Sequence, residues 1–315
     1  MRNILKKFHG KNIAVVGDLM LDRYIFGEAR RLSPEAPVPI VALQEEEVAL
    51  GGAGNTAANV SALGGKVFLI SACGNDEAGK ILLKLLKQKK IDTEGVLRFR
   101  RPTTEKARLV AGGQTIVRMD KERDEDLESA LEKMAIKFIK SKIKFLDGIV
   151  VSDYAKGFVT KNIGKTLVAL SRRYRKPLVV DTKPEHFLFF KGATVLTPNK
   201  KEAESAAGIA FKNMSDLKAG GRYLQKIALA DIVITLGPQG SMLFSGKKVS
   251  HLPSEAQEVF DVTGAGDTLA AALTLSLAAG AGIYRAAKTA NAAAGLAVSK
   301  KGTATVSADE LANRI

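Results

Sequence analysis

The stretch "DVTGAGDTLAAALTLSLAAG", residues 261–280, joins a glycine turn directly to an alanine- and leucine-rich run. Gly264 and Gly266 let a backbone approach a ligand with no Cβ in the way. A helix that starts at this turn aims the unpaired N–H groups of its first turn back into the loop, an anion site suited to phosphate oxygens. Asp267 falls in that first turn. Its plainer role is a helix-start carboxylate; the macrodipole favours its ionised form, so it is expected to be a weak base. No G-x-x-x-x-G-K-[ST] stretch occurs, so a phosphate site here is not of the Walker type.

Outward from this turn, apolar runs recur at 12–18, 66–72, 148–153, 177–183, 193–199 and 231–237. Helical patterns lie between most of them, as at 127–143 and 163–174, which argues for βαβ units and a mostly parallel sheet. In such sheets ligands bind beyond the carboxyl ends of the strands, so Asp18, Asp153, Asp181, Asn199 and Gly237 are expected to face one cleft. Two segments break the alternation. Residues 24–48 hold Pro34, Pro37 and Pro39 and no helical period, and 98–120 reads as two extended runs around Gly112-Gly113, a hairpin signal. Together they predict a small antiparallel sheet, a flap closing over a ligand or an interface. We place this lid at about 22–50 and 98–120, inserted in a single domain spanning 1–315.

With 46% hydrophobic residues the 315-residue chain has an ordinary globular composition. No run of eighteen apolar residues exists, so no membrane span is expected, and the apolar part of "MRNILKKFHGK" is too short for a secretory signal. Cys73 alone excludes a disulfide framework and a thiolate zinc site, which leaves a cytoplasmic enzyme as the expectation. The formal charge is +15, but the lysines are dispersed; "KLLKQKK" (84–90) and "KFIKSKIK" (137–144) read as solvated faces of amphipathic helices. With no Trp and 6% aromatics, stacking platforms are scarce and nucleic acid is not expected as a partner. Steering of an anionic small-molecule substrate accounts for the charge.

The stretch "LGGAGNTAANVSALGG" (50–65) fits a dinucleotide fingerprint at Gly52, Gly54 and Ala57, with Asp76 about where a ribose-binding acid should lie. Its context argues against that reading. A Rossmann turn follows a hydrophobic strand, whereas "QEEEVALGG" brings three glutamates into this one.

"DVTGAGD" resembles the second signature of the ribokinase-like (PfkB) carbohydrate kinases, and "GGAGNTAANVSALGG" resembles their first. The resemblance runs through nearly the whole chain in the right order. "VVGDLMLDRYIFGEARRLSPEAPVPIV" (15–41), "SDYAKG" (152–157) and "VVDTKP" (179–184) are similar to the D-glycero-β-D-manno-heptose-7-phosphate kinases. Those enzymes phosphorylate O1 of the sugar on the way to ADP-heptose and the lipopolysaccharide core. The resemblance implies an α/β, ribokinase-like three-layer fold with a mostly parallel central sheet and a small β-sheet lid. It further implies ATP as co-substrate, Mg²⁺, and a homodimer formed through the lid sheet; a monovalent-cation requirement stays open.

Site roles carry over from the resemblance residue by residue. Asp267 would take the proton of the attacking hydroxyl, with Gly264, Ala265 and Gly266 supplying N–H groups to the transferring phosphoryl group. Asn199 and Glu202 match an N-x-x-E element that places Mg²⁺ and its waters, Glu202 acting through water. Thr235, Gly237 and Asn291 would line the nucleotide site. Asp18, Gly51, Gly52 and Asn55 belong with the sugar, the two glycines as a hinge between lid and core. Arg108, Arg118, Lys156 and Lys183 are the candidates for a distal phosphate, Lys183 favoured because it follows a strand's carboxyl end. The alternatives are a kinase of the same fold acting on a neutral sugar, a hexose phosphate or 2-keto-3-deoxygluconate, and a non-catalytic sugar sensor, which would have lost the base or the glycines. Some relatives carry a fused adenylyltransferase; its H-x-G-H element is not formed by His9, His186 or His251, so that second activity is not expected in this chain.

Overall fold

The computed structural model describes residues 2–256, 258–300 and 302–315. Its strands, in chain order, begin with β1 (Asn12–Gly17), β2 (Leu19–Leu32), β3 (Pro39–Gly52), β4 (Lys66–Gly74) and β5 (Val96–Phe99). β6 (Thr104–Ala111), β7 (Gln114–Lys121), β8 (Gly148–Ser152), β9 (Leu178–Asp181) and β10 (Val195–Leu196) follow. β11 (Asp231–Thr235), β12 (Ser241–Ser245) and β13 (Lys248–Leu252) complete the set. The helices are α1 (Arg2–Leu5), α2 (Ala53–Ala62), α3 (Glu77–Gln88), α4 (Ser129–Lys142) and α5 (Lys161–Tyr174). After them come α6 (Lys200–Ala207), α7 (Met214–Ala228), α8 (Ala265–Ala278), α9 (Ile283–Ala297) and α10 (Ala308–Arg314).

Side chains of a strand alternate between its two faces, and that period of two builds the layers. In β1, Ile13 and Val15 enter one hydrophobic core while Ala14 and Val16 enter the other. β8 divides likewise, with Val150 on the first side and Ile149 and Val151 on the second. A sheet apolar on both faces must be covered on both. Residues of α1, α2, α3, α8, α9 and α10 fill the first core, and those of α4, α5, α6 and α7 fill the second.

The main sheet has nine strands in the order β13-β12-β11-β10-β9-β8-β1-β4-β5. Pairing is parallel from β5 through β11, and β12 is antiparallel to both of its neighbours. The chain lays β4 on one side of β1 and β8 on the other, so a topological switch lies between β1 and β8. All six expected strands are present, although 193–199 contributes only Val195–Leu196 before the chain turns into α6. The sequence reading missed β5, β12 and β13.

The second sheet, of order β3-β2-β6-β7, falls where the two irregular segments were read. One expectation is corrected: β2 pairs with β6 in parallel, so the sheet is mixed and only its outer pairs are antiparallel. Gly112 and Gly113 have φ of 58° and 77°, and Ala111 pairs with Gln114, the two-residue hairpin that such a glycine pair allows. Val96–Phe99 lies outside this sheet and pairs with β4 instead.

Candidate active site

A cavity of about 520 Å³ opens at the carboxyl ends of β8 to β11. Asn199, Glu202, Thr235, Gly237, Gly266 and Asn291, expected on the nucleotide side, all line it, as do Asp153 and Asp181. Asp18 does not. Its carboxylate is buried and accepts the backbone N–H groups of Tyr154 (2.8 Å), Lys156 (3.1 Å) and Phe158 (3.0 Å). Asp18 therefore ties the loop after β8 to the end of β1 at the switch point. Burial, reinforced by the charge of Asp153, raises its pKa to about 6.

Two helix N-termini converge on Asp267. Gly264 is the N-cap of α8, with φ of 79°, and a methyl group there would lie 2.5 Å from the Asn55 amide nitrogen. Only glycine satisfies both conditions. Gly52, with φ of 54°, caps α2, whose first turn carries Asn55 and Thr56. The Asp267 carboxylate is 3% exposed and accepts hydrogen bonds from Asn55 Nδ2 (2.9 Å) and Thr56 Oγ1 (2.8 Å). The Tyr154 hydroxyl donates to the same carboxylate at 3.3 Å. Asn55 thus spends its amide on Asp267. The Ala265 N–H turns back to the Val262 carbonyl (3.3 Å), while those of Gly264 and Gly266 have no protein acceptor among the described residues.

The expectation of a weak base is overturned here. Burial drives the Asp267 pKa up, hydrogen bonds from Asn55, Thr56 and Tyr154 hold it down, and the Asp22 charge adds to the rise, for a value of about 6. Water exclusion outweighs the helix dipole at this position. Asp181 also rises well above the usual carboxylate range, through burial and then the charges of Glu202 and Asp267.

Glu202 and Asn199 form a capping box on α6: Asn199 Oδ1 accepts the Glu202 N–H (2.9 Å) and Glu202 Oε2 accepts the Asn199 N–H (3.0 Å). Asn291 donates to the Pro253 carbonyl (2.8 Å) and accepts from Ser241 Oγ (3.0 Å), which fixes the cavity wall it lines. Each of the four candidate phosphate cations has a carboxylate partner: Arg108 with Asp22 (2.7 Å), Arg118 with Asp120 (2.9 Å), Lys156 with Glu122 (2.7 Å) and Lys183 with Glu202 (2.6 Å). Lys183 lines the cavity at the carboxyl ends of β8 to β11. Burial opposes its charge, but Glu202 more than compensates and its pKa rises. The sequence reading missed Asp22, Thr56, Lys106, Tyr154 and the metal-side potential of Asp181; the first lies in β2, five residues past the end of β1, in the quoted 15–41 stretch.

Among the described residues no three carboxylate, His or Cys side chains gather as a metal cage. Glu202 and Asp181 both face the cavity. That donor set fits an ion such as Mg²⁺, which keeps several waters and takes one or two carboxylates plus substrate phosphates.

A description of the pfkB family of carbohydrate kinases matches residues 11–310. The chain is 45% identical over 303 residues to the "Bifunctional protein HldE" of Geobacter sulfurreducens, covering 95% of this chain and 62% of that protein. Against the protein of the same name from Pelobacter propionicus, identity is 40% over 318 residues, 100% of this chain and 65% of that one. The chain therefore spans less than two thirds of the length of these curated relatives. Arabidopsis thaliana ribokinase, solved in complex with ribose and ATP, superposes with a TM-score of 0.76 at 18% identity, over 97% of this chain and 98% of that one. At that identity the likeness is one of fold.

Proposed function

Because the chain belongs to the pfkB family of carbohydrate kinases, we propose that it transfers the γ-phosphate of ATP to O1 of D-glycero-β-D-manno-heptose 7-phosphate. The product, the 1,7-bisphosphate, would feed ADP-heptose and lipopolysaccharide core synthesis in the cytoplasm. The observation that carries the reaction class is the buried Asp267 carboxylate at the start of α8, beside unpaired glycine N–H groups and at the edge of the cavity. The choice of heptose rests on the resemblance of residues 15–41, 152–157 and 179–184 to the heptose 7-phosphate kinases.

In this reading ATP fills the cavity, with its phosphates towards Gly264 and Gly266. The sugar hydroxyl attacks the γ-phosphorus, the bond to the ADP oxygen breaks, and the hydroxyl proton passes to Asp267, which later releases it to solvent. Phosphoryl transfer has a loose transition state, so positioning and charge stabilisation supply most of the catalysis. Glu202 and Asp181 would hold Mg²⁺ through its waters, and the ion would neutralise charge on the phosphates. A base of pKa about 6 is ionised at neutral pH and still accepts the proton late in the reaction.

We read residues 1–315 as one kinase domain in which the second sheet is a lid. Its far face aligns Ile25, Leu109 and Val117 in register, next to Ala107 and Met119. Val117 and Met119 are exposed, which suits a homodimer formed through that face. The experiment that tests the function measures ADP release with heptose 7-phosphate, ribose, fructose, fructose 6-phosphate and 2-keto-3-deoxygluconate. Turnover fastest with the heptose phosphate is expected; a neutral sugar or the keto-acid ahead of it would reassign the substrate.

A further inference from the structure

The four cations expected at the distal end of the sugar are each paired with a carboxylate, and a fifth, overlooked in the sequence, is not. Lys106 lies on β6 in register with Asp22 of β2 and Asp120 of β7. Arg108, two residues on, is in register with Tyr24 and Arg118. Residues in register point the same way and alternate residues share a face, so Asp22, Tyr24, Lys106, Arg108, Arg118 and Asp120 make one polar face of the second sheet.

That face is turned to the active site. Lys106 Nζ lies 5.7 Å from the centroid of the Tyr154 ring, whose hydroxyl is 3.3 Å from the Asp267 carboxylate. One aromatic side chain therefore separates the ammonium from the candidate base. Arg108 and Arg118 already engage Asp22 and Asp120, and the one carboxylate that β3 places in register with Tyr24, Glu47, makes no ion pair with Lys106. Among the described residues Lys106 makes no ion pair. Burial lowers its pKa, and Glu122 and Asp120 offset that at a distance without touching it. A half-buried ammonium without a contact ion pair is costly, and a bound anion lowers that cost.

We propose that Lys106 receives the anionic group at the end of the sugar opposite the attacking hydroxyl, so that the site selects sugars bearing a phosphate or a carboxylate there. The proposal rests on the kinase reading, with Asp267 at the attacked end, and deepens it by naming what sets substrate class. A phosphate and a carboxylate share the charge that Lys106 recognises, and the ligands of the test separate them.

The test is a binding measurement that needs no turnover. Calorimetric titration of the Asp267→Asn protein with heptose 7-phosphate, 2-keto-3-deoxygluconate and the unphosphorylated heptose sets the reference. Adding Lys106→Met should weaken the anionic ligand by roughly 10- to 100-fold, as expected for loss of one charge-assisted contact, and weaken the neutral heptose less than about twofold. Lys106→Arg should restore most of the affinity, which also shows that the site tolerates substitution. In the active enzyme Lys106→Met should raise KM for the sugar phosphate and leave KM for ATP in place. Equal weakening of charged and neutral sugars, or none, overturns the proposal. A loss confined to the keto-acid upholds Lys106 and overturns the heptose phosphate assignment. Full turnover by Asp267→Asn overturns the base assignment while the Lys106 result stands.

Discussion

At the scale of single residues, Asp267 sets activity against stability. Its carboxyl titrates near 6 in the fold against an ordinary 3.8. The stability it contributes is complete below pH 3.8 and is lost as pH rises through 6, so the ionised group costs the native state on the order of 3 kcal/mol at pH 8. Asp267→Asn should lower turnover by roughly 10²- to 10⁴-fold with ATP binding retained. The same variant should melt above the parent at pH 8, with the gap closing towards pH 4; a gap independent of pH contradicts the buried charge. In the parent, kcat should rise as pH increases through about 6, where the base ionises. Tyr154 donates to the ionised form, so Tyr154→Phe should move that limb upward by about half a unit or more. A limb that stays put would leave Tyr154 a packing role only. Asp267 was legible because a glycine turn and a helix start announce it locally. Its holders Asn55 and Thr56 were not, since they lie more than 200 residues away and only the pairing of α2 with α8 brings them near.

At the scale of elements, the strands buried on both faces stood out as apolar runs, and the Gly112-Gly113 hairpin followed from two positive φ angles. β12 escaped notice because its apolar run is only three residues long, and β13 because it is the edge strand, where Lys, Ser and His interrupt the run. The parallel pairing of β2 with β6 could not be read either, because it joins segments separated by two helices and three other strands. β7 is flanked on one side only, an edge strand exposed along its whole length. Amide hydrogen exchange of 104–121 should slow when the sugar phosphate binds, as closure would shield this hairpin. Unchanged protection there would make the second sheet a static surface.

At the scale of the whole molecule, the doubly covered sheet places the cavity beyond the carboxyl ends of β8 to β11, to one side of the switch point that Asp18 ties together. The face of the second sheet away from the site exposes Val117, Met119 and, beyond a bulge in β2 and β3, Leu43. Light scattering should give twice the 33.6 kDa chain mass, and Val117→Lys with Met119→Lys should return it to one. A parent that is monomeric at micromolar concentration would remove the interface.

The β2–β3 half of the second sheet is threaded into the chain between β1 and α2, and both of its attachments meet at one point. Leu19 pairs with Gly52, and the Ala53 N–H reaches the Asp18 carbonyl at 2.9 Å. That same first turn of α2 carries the two side chains that grip Asp267. The sheet's mount is thus also the mount of the proposed base: a tilt of the sheet on binding a sugar would reach Asn55 and Thr56 through Gly52.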